Sequence, residues 1–68
     1  MDHSDFKIGT EFMTEVGRWR CTDVGTRVIT AIRLHYDDDP SMYLGPPYKM
    51  AESVFDEYDF EGLEPAPA

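Results

Sequence analysis

Trp19-Arg20-Cys21-Thr22-Asp23-Val24-Gly25-Thr26-Arg27-Val28-Ile29-Thr30-Ala31-Ile32-Arg33-Leu34 is the stretch that decides the fold. It holds the only Trp and the only Cys and, with Arg18, four of the six basic residues. On a pleated strand Val28, Thr30, Ile32 and Leu34 share one side, and Arg27, Ile29, Ala31 and Arg33 share the other. The first set is free of charge and is the expected core face. Trp19 has the area to cap it from the preceding strand. Between the two lies Asp23-Val24-Gly25-Thr26, a turn in which Gly25 is free to take positive φ. The expectation is a β-hairpin.

Upstream, Phe6-Lys7-Ile8 alternates like a short strand bent by Gly9, and residues 11–16 suit a second strand with Phe12 and Val16 on opposite sides of a bulge. Gly17 turns the chain into residues 18–22. Such short strand–Gly–strand spacing belongs to an antiparallel meander or small barrel. Residues 1–5 are expected to form a disordered tail, with His3 no ligand.

Downstream, Asp37-Asp38-Asp39-Pro40-Ser41 is a turn by composition, and Gly45-Pro46-Pro47-Tyr48 is a second break. Met42, Tyr43 and Leu44 are expected to drop onto the sheet between them. In residues 49–60, Met50, Val54 and Tyr58 recur at four-residue spacing beside Ala51 and Phe55, the stripe of an amphipathic helix, and Pro47 suits its start. The same Met50, Val54 and Tyr58, with Phe60, also share one phase of a strand, and acids crowd the end where a helix dipole disfavours them. Helix is the preferred assignment. Gly62 ends the element, and residues 64–68 are expected to be a disordered tail. The fold expectation is therefore α+β: one domain over residues 1–68, a small antiparallel β-sheet of three to four strands with one C-terminal helix packed on it. The alternative is an all-β SH3-like barrel closed by that element as a strand.

A chain of 68 residues buries only about 60% of its unfolded surface and is marginal without reinforcement. A single Cys makes no internal disulfide, and no Cys/His set has zinc spacing. Reinforcement falls to the aromatic residues, 13% of the chain. With no signal-like segment and no long apolar run, the expected location is cytoplasmic, and an unpaired thiol fits a reducing compartment.

The net charge is −8, and its placement is uneven. Residues 1–36 balance their acids and bases. Residues 37–68 carry Asp37, Asp38, Asp39, Glu52, Asp56, Glu57, Asp59, Glu61 and Glu64 against Lys49 alone. This argues against direct contact with nucleic acid or an anionic membrane and towards a basic partner.

Catalytic and metal chemistry find little footing. Cys21 and His35 could pair as thiolate and imidazole, but the chain has no Asn or Gln and no oxyanion donor, so a small buried Cys is expected. Asp37-Asp38-Asp39 lacks the Gly and Glu that complete a calcium loop and is expected to be a solvated turn. Carboxylates used as acid and base need environments that push their pKa values apart, which a crowded exposed run does not offer. No enzyme activity, cofactor or metal is expected. The candidate partner-binding residues are Asp37, Asp38, Asp39, Glu52, Asp56, Glu57, Asp59 and Glu61. On a helix the pairs Glu52/Asp56 and Glu57/Glu61 stand about 5–6 Å apart, and on a strand alternate acids stand about 6.6 Å apart, both near the spacing of phosphates along a nucleic acid. Mutually repelling, exposed groups of this kind are expected to be reversible to Lys at 56, 57 and 59 without loss of stability.

Trp19-Arg20-Cys21-Thr22-Asp23-Val24-Gly25-Thr26-Arg27, Gly45-Pro46-Pro47-Tyr48 and Val54-Phe55-Asp56-Glu57-Tyr58-Asp59 resemble a family of short uncharacterised bacterial proteins, some carried on mobile elements. That resemblance runs over residues 6–63 and implies no assigned activity. In size and charge the chain is also similar to the small acidic anti-CRISPR proteins, a likeness of class without a shared motif. What it implies is a small acidic inhibitor whose negative face blocks the nucleic-acid-binding site of a basic protein or nucleoprotein complex, such as a CRISPR effector. The alternative is an SH3-like adaptor that binds extended peptides through an aromatic surface around Tyr36, Tyr43 and Tyr48.

Overall fold

Alternation and turn chemistry carry through to an antiparallel meander. The computed structural model describes residues 1–34, 45, 46, 48 and 51–67. Its strands are β1 (Glu11–Thr14), β2 (Gly17–Val24), β3 (Ile29–Arg33), β4 (Ser53–Phe55) and β5 (Glu64–Pro65), with one helical turn, α1 (Glu57–Phe60), between the last two. They form one five-stranded sheet in the order β4-β3-β2-β1-β5, and every pairing is antiparallel. A short 3-10 helix, His3–Asp5, precedes the sheet.

The expected hairpin is present as β2 and β3, but its faces are reversed. Trp19 pairs with Arg33 and Cys21 with Ala31, and a bulge between Cys21 and Asp23 shifts the register before Val24 meets Ile29. Ile29 and Ala31 therefore point into the core with Phe6, Phe12, Cys21, Phe60 and Leu63. Ile32 is also fully buried, outside that cluster. A strand covered on both faces has no polar side to alternate against. Arg33 made the Ile29/Ala31 face look polar in sequence, yet it sits at the strand end and its guanidinium Nη2 donates to the Val16 carbonyl. Trp19 is half-buried on the core face that β3 in fact uses.

Gly25 has no positive φ; that conformation belongs to Gly9 and Gly17. The Gly25 N–H closes the hairpin loop by donating to the Val28 carbonyl at 2.7 Å. A Cβ there would lie 3.2 Å from Val28 Cγ2 and 3.3 Å from Val28 O, so any larger residue requires Val28 to shift by a few tenths of an ångström. At Gly17, φ is +138°, and the residue lets the tight β1–β2 turn enter β2.

Phe12 of β1 and Phe55 of β4 lie three strands apart in the sheet order, yet their rings meet edge to face at 5.4 Å. A flat sheet would hold those strands about 14 Å apart. The sheet is therefore strongly curled, and Phe6, Phe12, Phe55, Phe60 and Trp19 fill its hollow through ring contacts between 5.1 and 5.4 Å. Phe6 contributes as a buried residue ahead of a turn, not as the expected strand. Thr10 N–H donates to Lys7 O at 2.9 Å and closes that turn.

The single helix expected over residues 49–60 is divided where it is described: Ser53–Phe55 is an edge strand on β3, and only Glu57–Phe60 is helical. The four-residue recurrence did not mark a buried stripe, because Val54 is 64% and Tyr58 85% exposed. Lys49 and Met50, like the segment Met42, Tyr43 and Leu44, fall outside the described residues.

Both expected tails are tied to the rest of the fold. The Met1 ammonium donates to the carbonyls of Phe60 and Leu63 at 2.8 and 3.1 Å, and His3 Nε2 donates to Gly25 O at 2.7 Å. At the other end Glu64 and Pro65 pair with Met13 and Phe12, and Ala66 N–H donates to Glu11 O.

Candidate functional site

The local sequence Asp56-Glu57-Tyr58-Asp59 builds a helical turn out of its own carboxylates. Asp56 leaves β4 in an extended conformation and caps α1: its Oδ1 accepts from the N–H groups of Tyr58 and Asp59 at 3.0 and 3.3 Å. Asp59 reaches back, and its Oδ2 accepts from the Asp56 N–H at 3.0 Å. This reciprocal arrangement satisfies donors that a helix start leaves open. Glu57 forms an ion pair with Arg27 at 2.9 Å. Glu61 comes next, at the C-cap, and is exposed.

Asp56, Glu57, Asp59 and Glu61 are thus brought together around one exposed turn, with Tyr58 standing among them. Glu52 is not part of that group. Its carboxylate accepts from the Thr22 hydroxyl, and the Thr22 and Thr30 hydroxyls lie 3.0 Å apart. A carboxylate only accepts, so Thr22 gives its proton to Glu52 and receives that of Thr30. This places Glu52 on the sheet face opposite the aromatic core. Asp37, Asp38 and Asp39 lie outside the described residues, as do Tyr36, Tyr43 and His35.

A second feature has no counterpart in the sequence reading. The curl leaves an open seam of about 460 Å³ between the β1–β2 turn and β4. Glu15 and Val16 of that turn, Val54 and Phe55 of β4, Trp19 and Asp59 are among the residues that line it. Trp19 is held by its Nε1–H, which donates to Thr14 Oγ1 at 2.9 Å, and by an edge-to-face contact with Phe55 at 5.1 Å. Among the described residues no strand pairs with the outer edge of β4. The signal that could have located this edge is Asp56-x-x-Asp59, a cap motif that ends β4 before a helix.

Cys21 is buried, and its thiol donates to the Asp23 carbonyl at 3.3 Å. Burial pushes its pKa up, the Asp23 charge adds to this, and the hydrogen bond to Asp23 opposes it. Such a thiol is a poor nucleophile. On the polar face, Glu11 holds Arg18 at 2.6 Å and Arg20 at 3.7 Å. Among the described residues no three His, Cys, Asp or Glu side chains are grouped to hold a metal ion, and no helix is long and apolar enough to cross a membrane. Compared with known proteins, the chain matches no family model, no curated protein and no solved structure.

Proposed function

We propose that this protein is a non-catalytic acidic binding module that docks on a basic protein or nucleoprotein complex and blocks its nucleic-acid-binding site, in the manner of an anti-CRISPR inhibitor. The observation that carries this reading is Tyr58, 85% exposed on the same short turn as the exposed acids Asp56, Glu57, Asp59 and Glu61. The cap fixes two of those carboxylates before any partner arrives, which lowers the ordering cost of binding. An exposed tyrosine offers its face to an arginine, and the acids around it attract one.

The test is capture of a bacterial nucleoprotein fraction on immobilised protein at low and high salt, repeated with Tyr58→Ala and with Glu57→Lys/Glu61→Lys. These substitutions spare the Asp56–Asp59 cap. Capture that falls with salt and is lost in both variants supports the reading. Capture unchanged in both sinks it, and the acidity then serves solubility.

The seam favours a second reading, the SH3-like adaptor. Its support is the strand order β4-β3-β2-β1-β5, with a helical turn leading into a last strand that returns to β1, an order that an SH3-like barrel would also have. On this reading the sheet is that barrel, and extended peptides are its ligands.

A further inference from the structure

We infer that the seam beside β4 is a strand-addition site for an extended segment in which an apolar stretch is flanked by basic residues. The inference deepens the acidic-module reading by stating the chemistry of the partner's contacting segment.

Three features of the edge point there. β4 pairs with β3 through Ile29↔Phe55, Thr30↔Val54 and Ala31↔Ser53, which leaves its outer edge without a strand among the described residues. An edge strand offers backbone donors and acceptors to any chain that runs alongside it. Its side chains alternate: Phe55 packs toward the core against Trp19, while Val54 leaves the strand on the other face, is 64% exposed and still borders the seam. An added strand would thus find one apolar residue to oppose on each face.

Charge selects the occupant. Glu52 and Asp56 lie two residues before and after Val54, on its face of the pleat, and Glu15 and Asp59 border the seam itself. A second copy pairing antiparallel through β4 about Val54 would set Glu52 against Asp56 twice over, a like-charge opposition that destabilises cross-strand pairs. A segment with Lys or Arg two residues either side of a central apolar or threonyl residue meets those same carboxylates with opposite charge. No Lys or Arg is among the described residues that line the seam.

The probe is a capped pentapeptide, lysine–valine–threonine–valine–lysine, titrated into the full chain and followed by amide NMR. Shifts are expected at Ser53–Phe55 and around Glu15, Val16 and Trp19. A peptide with glutamates for lysines should bind about tenfold more weakly or worse, and so should one N-methylated at alternate residues, which has lost the donors of one edge. Equal binding of the N-methylated peptide, or shifts confined to residues 57–61, overturns strand addition. The second of these outcomes leaves the acidic-corner reading standing. Shifts at Ser53–Phe55 that survive in Glu57→Lys/Glu61→Lys support the site even if that corner proves inert. Concentration-dependent dimerisation with shifts at Ser53–Phe55 in the absence of peptide would assign the edge to a second copy and overturn the inference.

Discussion

Trp19 and Cys21 stand two residues apart on β2 and point into the same hollow, but they do different work. Trp19 gives the curled sheet its largest ring and ties it to the β1–β2 turn through Thr14. Trp19→Ala should cost about 3 kcal/mol, close to what a core of this size supplies in total. The variant should therefore show no cooperative urea transition. Cys21 contributes a pH dependence. Its raised pKa means that the unfolded thiol ionises first as pH rises. The stability it confers is complete below the ordinary thiol value and declines above it. Between about pH 7 and about pH 9.5 the urea midpoint of wild type should fall more than that of Cys21→Ala. The native thiol should resist a thiol reagent that labels it at once in urea.

The two elements that differ most from their sequence reading, β3 and the α1 region, show what periodicity leaves open. Along β3, Ile29, Ala31 and Ile32 are all fully buried, so charge at the strand end was the only apparent guide to the face, and it misled. The bulge at Thr22 compounds this, since one extra residue re-aims the side chains beyond it. Neither cover on both faces nor a bulge leaves a mark in local composition. In the α1 region the apolar recurrence was real, but Val54 and Tyr58 are exposed, and the Asp56/Asp59 spacing was read as exposed charge although it forms a cap. That pair changes one expectation about the acids. Reversing Asp56, Glu57 and Asp59 to Lys removes both halves of the cap and should destabilise the protein by about 1–2 kcal/mol instead of leaving it unchanged. Asp56→Ala alone should cost about 1 kcal/mol and Asp56→Asn much less, a ranking that urea melts can check. Loss of the Arg27–Glu57 pair should hardly register, because both partners are largely exposed.

At the scale of the whole molecule, the uneven charge was fully legible, because counting needs no geometry. Its consequence depends on where the chain folds those charges. The α1 corner gathers Asp56, Glu57, Asp59 and Glu61, while Glu52 is bonded to Thr22 on the far face. No alternation rule could separate Glu52 from the others, since the division depends on β4 ending at Phe55. The seam was hidden for a related reason: it exists only because β1 and β4 approach through curl, a contact between residues distant in sequence. If the acidic corner is the docking face, association with a basic partner should slow steeply with added salt while dissociation changes little. Stopped-flow mixing at several ionic strengths would measure both rates, and a salt-independent association rate would remove the corner from consideration.

The lone tryptophan has an optical consequence. Trp19 lies half-buried in the seam, its indole N–H on Thr14 and its ring against Phe55. Its emission comes from one known place. A ligand entering the seam must displace water from that indole and shift its fluorescence to shorter wavelength, whereas one resting on Tyr58 should leave the spectrum unmoved. The protein thus carries an unlabelled reporter that distinguishes its two candidate surfaces in a single titration.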